Sequence, residues 1–343
     1  MRKIQKIAIF ILLAGVCACQ SVPVDSTQDT QIPPESTSDQ IDYRQEMRQF
    51  VEEISSYAHS LDSDFLVIPQ NGQELLVQGE DINSEIDQIY LASIDGIGRE
   101  DLFYGFSGDD IATDSAITAM WLDYLNLAKE NGLSILAIDY CSTPEKIDDS
   151  SLHNQELEFL SFAADHRELD NIPLYPAIPF AENNATVRSL SQAHNFLYLI
   201  NPAQYASKEE FINAITSTNY DLLVLDLYLG EAIFTKDEIE QLRQKANGGS
   251  RLVLCYLSVG EAEDYRPYWK QEWDENPPEW LLEENPNWAG NYRVQYWNED
   301  WKTIITGSAD SYLGKIINSG FNGVYLDLVD AFWEFEDELA VNE

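Results

Sequence analysis

The chain has 343 residues, with sixty acidic against twenty basic side chains and a formal charge of −40 at pH 7. Such a surface repels phosphate polymers, which argues against a nucleic-acid partner and for a polycationic one, although solubility also accounts for an acidic surface. Hydrophobic residues at 44% and aromatics at 12% are enough to build a core, so the composition excludes a wholly disordered chain.

In chain order, the basic stretch Met1–Lys6 precedes an apolar run from Ile7 to Val16 that is too short to span a bilayer as a helix. This is the pattern of a secretion leader over residues 1–18. The sequence VCAC sets Ala18 before Cys19 as at a bacterial lipoprotein cleavage site, so Cys19 is expected to become the lipidated first residue. A plain cleaved signal peptide is the alternative, and either implies export, with the lipid as the membrane contact of a cell-envelope protein. Residues 19–42 are rich in Ser, Thr, Gln, Asp and Pro and hold no Lys or Arg, the composition of a disordered tether.

Residues 43–343 then read as a single domain. Helical periodicity predicts helices near 44–61, 82–91, 114–132, 153–168, 207–217, 235–247, 266–275 and 299–319. Apolar runs predict strands at FLVIP (65), IDGIG (94), SILAID (134), FLYLIN (196), LLVLDL (222), LVLCYLS (252), YRVQYW (292) and GVYLDL (323). Alternation of the two makes the sheet parallel, and a (β/α)8 TIM barrel is the simplest closure, ahead of a doubly wound sheet. The domain opens on a helix and closes on a strand, half a unit out of frame for such a barrel, which implies circular permutation. The Gly323 strand should therefore lie parallel between the Phe65 strand and the Val294 strand, with the helix over 44–61 covering the seam. Cys141 and Cys255 fall in or beside strands and are expected as buried thiols.

Barrel active sites sit at the C-terminal ends of strands, and here those ends are acidic. Asp226 ends LLVLD; Glu261, Glu263 and Asp264 follow YLSVG; Asp327 and Asp330 lie in GVYLDLVD; Glu100 and Asp101 follow DGIGR; Asp139 ends LAID. A lone strand-end Asp usually holds a loop amide or an arginine, but convergence from five strands supplies the two carboxyl groups that glycoside cleavage needs. Trp269, Trp273, Trp280, Trp288, Trp297 and Trp301 crowd one stretch and are expected chiefly as packing, with one or two left to face a sugar. Motifs of zinc hydrolases, serine hydrolases and nucleotidases are absent, the four histidines are scattered, and no cofactor or metal is expected.

The segments LVLCYLSVGEAEDYRPYW, NPNWAGNYRVQYW, GFNGVYLDLVDAFWEFE, DFLVIPQNG, IDGIGREDLFYG and AIDYCSTPEKID resemble glycoside hydrolase family 114, the endo-α-1,4-polygalactosaminidases, over nearly the whole domain. In that family the segment like GFNGVYLDLVDAFWEFE comes before those like DFLVIPQNG and GIGREDLFYG, whereas here it comes last, in agreement with permutation. The family's GFDGVYLD has Asn322 in place of its Asp here. The resemblance implies Asp327 and Glu100 as the catalytic pair, with Asp101 the alternative to Glu100 in that motif. It also implies Glu263, Asp330, Asp226 and Asn71, with Asp264 and Asp139 beside them, as the substrate-binding set. The implied activity is endo-acting hydrolysis of α-1,4-linked galactosamine-containing polysaccharide by a monomer; the competing expectation is a non-catalytic, carbohydrate-binding surface lipoprotein.

Overall fold

The structure is a computed structural model that describes residues 41–342. The expected leader over 1–18, the lipidation site Cys19 and the tether up to residue 40 lie outside the described residues. Within them the fold is α/β with parallel sheets.

Eight strands carry the parallel pairing: β1 (Leu66–Pro69), β2 (Gly96–Glu100), β3 (Ser134–Tyr140), β4 (Leu160–Ala164), β5 (Phe196–Leu199), β6 (Leu222–Leu225), β7 (Leu252–Ser258) and β8 (Gly323–Asp327). They form a five-stranded sheet in the order β1-β8-β7-β6-β5 and a three-stranded sheet in the order β2-β3-β4. Single parallel bridges, Gln70 to Gly98 and Ser161 to Asn195, connect the end strands of one sheet to those of the other. Runs such as LLVL and LVLCYLS are buried along their whole length, as strands covered on both faces must be.

The last strand lies beside the first: Leu66 to Pro69 pair residue by residue with Gly323 to Leu326. Helix α1 (Tyr43–Leu61) begins at an Asp42 cap and buries Met47, Phe50, Val51, Ile54 and Ala58, an i, i+3, i+4, i+7 stripe. Each of the four larger side chains stabilises the fold by about 1.5–3 kcal/mol through area removed from water. The following helices are α2 (Gln88–Ala92), α3 (Ser115–Glu130), α4 (Pro144–Glu156), α5 (Lys208–Thr216), α6 (Lys236–Leu242), α7 (Glu299–Ile305), α8 (Tyr312–Ser319) and α9 (Phe332–Asn342). Among the described residues no helix is long and apolar enough to cross a membrane.

Several expectations need correction. Among the described residues the last element is α9, where a strand was expected to close the domain. The segment at 292 forms the antiparallel strand Asn291–Val294, paired with Glu261–Glu263 and Leu281–Glu284, so β8 has β7 and not the Val294 strand as its second neighbour. The remaining parallel strand is β4, inside a stretch read as helix over 153–168; Glu158 takes a positive φ of 57°, which stops α4 and releases the short apolar run that follows. The expected helix at 299–319 is two helices separated by a turn in which Gly307 adopts φ 90°. The expected helix at 266–275 is only the 3-10 turn Gln271–Asp274. Cys141 and Cys255 are free and buried, as expected.

Candidate active site

Asp327 is the last residue of β8, in register with Ser258 of β7. Its Oδ1 accepts hydrogen bonds from Gln70 Nε2 and from the Leu328 amide, both at 2.8 Å, and its Oδ2 accepts from the Tyr256 hydroxyl at 2.8 Å. Leu328 takes a left-handed φ of 61°, which turns the chain away at once and leaves the carboxylate at the strand end. Two neighbouring strands therefore fix the rotamer of one acid.

Glu100 occupies the same end of β2. Its amide donates to Asn71 Oδ1 at 3.3 Å, and its Oε1 accepts from the Tyr140 hydroxyl of β3. Asn71, at φ 58°, also donates its own amide to Gly98 O at 2.8 Å, so it locks the β1 loop to β2. The neighbouring Asp101 is engaged elsewhere, in a 2.7 Å ion pair with Arg167, which separates it from Glu100 in role.

Beneath the two acids lies a floor of buried tyrosines. Tyr325 and Tyr198 meet edge to face at 5.2 Å, with Tyr140 and Tyr256 to either side. Gly98 makes that floor possible, because a Cβ there would lie 1.9 Å from the Tyr325 hydroxyl. Such surroundings disfavour charge. Burial pushes the Glu100 carboxyl up to about 7, with the charges of Asp327 and Asp101 adding to it and the Tyr140 hydrogen bond opposing. Burial likewise pushes Asp327 up to about 7; Tyr256 and the Leu328 amide oppose this while Asp330 and Glu261 add to it. Burial raises Asp330 to about 7 as well, opposed by Arg99 and reinforced by Glu74 and Glu100. Both acids are therefore more readily protonated near neutrality than an exposed carboxyl would be.

The other expected residues separate into distinct environments. Asp226 and Glu263 are buried and joined by Arg266, whose guanidinium reaches Asp226 Oδ2 at 2.7 Å and Glu263 Oε2 at 2.6 Å. They form a wall in which two acids share one guanidinium rather than stand free, and Glu263 also accepts from the Tyr265 hydroxyl at 2.5 Å, holding an otherwise 59% exposed ring. Asp264 is exposed and sits against Gly290 in the antiparallel layer. Asp139 is corrected: fully enclosed, it accepts from the Phe103 and Tyr104 amides at 2.7 and 3.0 Å and from Ser150 Oγ at 2.6 Å, so it holds a loop and has no face for a substrate. Asp330 is only half-buried, and among the described residues its carboxyl makes no ion pair. In the core Trp280 meets Trp273 edge to face and Trp301 at a tilt, each at 5.2 Å, whereas Trp288 is 47% exposed.

The partners Tyr140, Tyr256, Gln70, Arg167 and Arg266 were missed in the sequence. Period-2 alternation carried a signal for Tyr256, which lies two before Ser258 in β7 and shares its face, and Ser258 is in register with Asp327. Among the described residues no group of three or more His, Cys, Asp or Glu is arranged to hold a metal ion.

Residues 177–343 match the model of glycoside-hydrolase family GH114. The match supports a glycoside hydrolase and takes in Asp226, Glu263, Asp264, Asp327 and Asp330. Uncharacterized proteins of Methanocaldococcus jannaschii, Thermotoga maritima and Deinococcus radiodurans are 42%, 40% and 38% identical over 156, 128 and 121 residues. Those alignments cover 44%, 37% and 35% of this chain and 41%, 38% and 37% of the respective relatives, so the chain spans about two fifths of the length of each.

Proposed function

We propose that this chain is an endo-acting glycoside hydrolase that cleaves α-1,4-linked galactosamine-containing polysaccharide, with Asp327 and Glu100 as its catalytic pair. The observation that carries the reading is the pair itself: two half-buried carboxyl groups at the ends of β8 and β2, each held by a tyrosine hydroxyl and each raised by burial. One carboxylic acid protonates the leaving glycosidic oxygen while the other, ionised, attacks the anomeric carbon or activates a water. The tyrosine hydrogen bonds favour the ionised form of each acid and fix its direction, which shortens the search for a reactive geometry.

The architecture we propose is a (β/α)8 barrel, circularly permuted. The bridges Gln70–Gly98 and Ser161–Asn195 at both junctions of the two sheets support closure. Contact between the ends of the domain supports permutation: Tyr43 stacks on Phe335 at 5.2 Å and Arg44 pairs with Glu336 at 2.8 Å. Catalysis at the C-terminal strand ends agrees with that architecture. Export as a lipoprotein through Cys19 belongs to the same proposal and rests on the leader sequence.

An amino-sugar substrate is supported by the excess of acids and by Asp330, whose carboxyl forms no ion pair among the described residues, lies close enough to interact with Asp327 and Glu100, and is able to accept from a sugar ammonium. Incubation with α-1,4-linked oligomers of galactosamine, N-acetylgalactosamine and galacturonic acid, with products read by mass spectrometry, tests this class. Cleavage of the galactosamine-containing oligomers and not of the uronic acid is expected. Cleavage of the galacturonic acid oligomers alone would overturn the substrate, and binding without cleavage would make the chain a carbohydrate-binding protein.

A further inference from the structure

We propose that Arg167 is a positioning residue that acts on Glu100 through Tyr140, setting the direction and strength of the hydrogen bond that this phenol donates to the acid. The proposal rests on the reading of Glu100 as half of the catalytic pair. Arg167 belongs to the loop after β4, which carries only the 3-10 turn Leu190–Gln192 before β5, and its guanidinium is fixed from several sides. It pairs with Asp101 at 2.7 Å and Asp109 at 2.6 Å and donates to Gly105 O at 2.6 Å. The same guanidinium lies over the ring of Tyr140, 4.1 Å from its centroid.

A cation on the face of a phenol withdraws electron density and makes the hydroxyl a stronger donor. That hydroxyl donates to Glu100 Oε1. Arg167 thus reaches the acid without touching it, and holds Asp101 turned away from it. Gly105 also fits this arrangement, since a Cβ there would lie 2.1 Å from Asp101 Oδ1 and 3.0 Å from Arg167 Nη2. The charged and titratable groups facing Glu100 are Asp327 and Tyr325 from β8, Asp330 after it, Tyr140 from β3, Tyr198 from β5, Asp101 and Arg99 from its own chain, and Arg167. The carboxylates disfavour its ionisation, and the Arg167–Tyr140 unit opposes them.

The test follows the carboxyl carbon of Glu100 by NMR against pH, with the resonance identified by its loss in Glu100→Gln, alongside the pH profile of kcat/KM on galactosamine oligomers. Arg167→Gln should raise the Glu100 midpoint by about half a pH unit or more and move one limb of the activity profile upward by the same amount. If the alkaline limb moves, Glu100 is the acid; if the acidic limb moves, it is the nucleophile or base. Arg167→Lys, which keeps the charge without the planar fork, should restore part of the shift. In a Tyr140→Phe background the effect of Arg167→Gln should fall by at least half. Asp109→Asn, a milder loosening of the same guanidinium, should give a smaller shift of the same sign and serves if Arg167→Gln does not fold. An unchanged Glu100 midpoint in Arg167→Gln, or in Asp109→Asn should that be the variant that folds, would overturn the proposal. So would an Arg167→Gln effect of equal size with and without the Tyr140 hydroxyl. Hydrolysis by Glu100→Gln at the wild-type rate would instead sink the assignment of the pair, and the NMR midpoint would still judge Arg167.

Discussion

At the scale of single residues, the sequence exposed the acids and hid what holds them. Asp327 and Glu100 are visible because each ends an apolar run, and the structure finds both at strand ends with tyrosine donors. Asp139 ends such a run equally well, yet it is sealed under the Phe103 and Tyr104 amides, because a strand-end carboxylate serves a loop as readily as a substrate. Asp330 allows a prediction on stability. Its carboxyl rises to about 7 from an ordinary value near 4, chiefly through burial. A raised folded-state value means that the protonated carboxyl is the better-tolerated form: its contribution is fully present below the unfolded value and is lost as pH climbs through about 7. Asp330→Asn, which mimics the protonated form, should therefore raise the melting temperature by about 2–4 °C at pH 8 and leave it nearly unchanged at pH 5. Equal shifts at both pH values would contradict this.

At the scale of elements, helix α1 was legible because its apolar stripe is long and begins at an aspartate cap. The strand β4 was not, since five residues are too few to distinguish a buried strand from the end of a helix by periodicity. The Asn291–Val294 strand misled for the opposite reason: it is a true strand, but antiparallel, and pairing direction leaves no mark on an isolated segment. Phe50 is fully buried on α1, with Lys302 Nζ 5.8 Å from its ring centroid. Phe50→Ala should cost about 3–5 kcal/mol in chemical denaturation, whereas Ser60→Ala, on the exposed end of the same helix, should change stability by less than about 0.5 kcal/mol. A loss at Phe50 no larger than that at Ser60 would remove α1 from the core.

At the scale of the whole molecule, motif order pointed to permutation; β1 does pair with β8, but any closed barrel joins its first and last strands, so permutation itself stays a proposal. The terminal helix α9 was hidden because FWEFEDELA reads as a continuation of the motif around Asp330. If the chain is a permuted barrel, its connectivity can be restored by joining residue 342 to residue 42 with a short linker and opening the exposed turn 307–310. The rearranged chain should unfold cooperatively near the wild-type midpoint and keep its activity; loss of cooperative unfolding would count against the permuted barrel. The measurement that bears most directly on the function is the release of new reducing ends from a defined galactosamine oligomer by the wild type, Glu100→Gln and Asp327→Asn, each confirmed as folded. Each substitution should lower the rate about 10²-fold or more, because each removes a group that transfers a proton or attacks in the transition state. Release at wild-type rates by either folded variant would contradict the assignment of this pair.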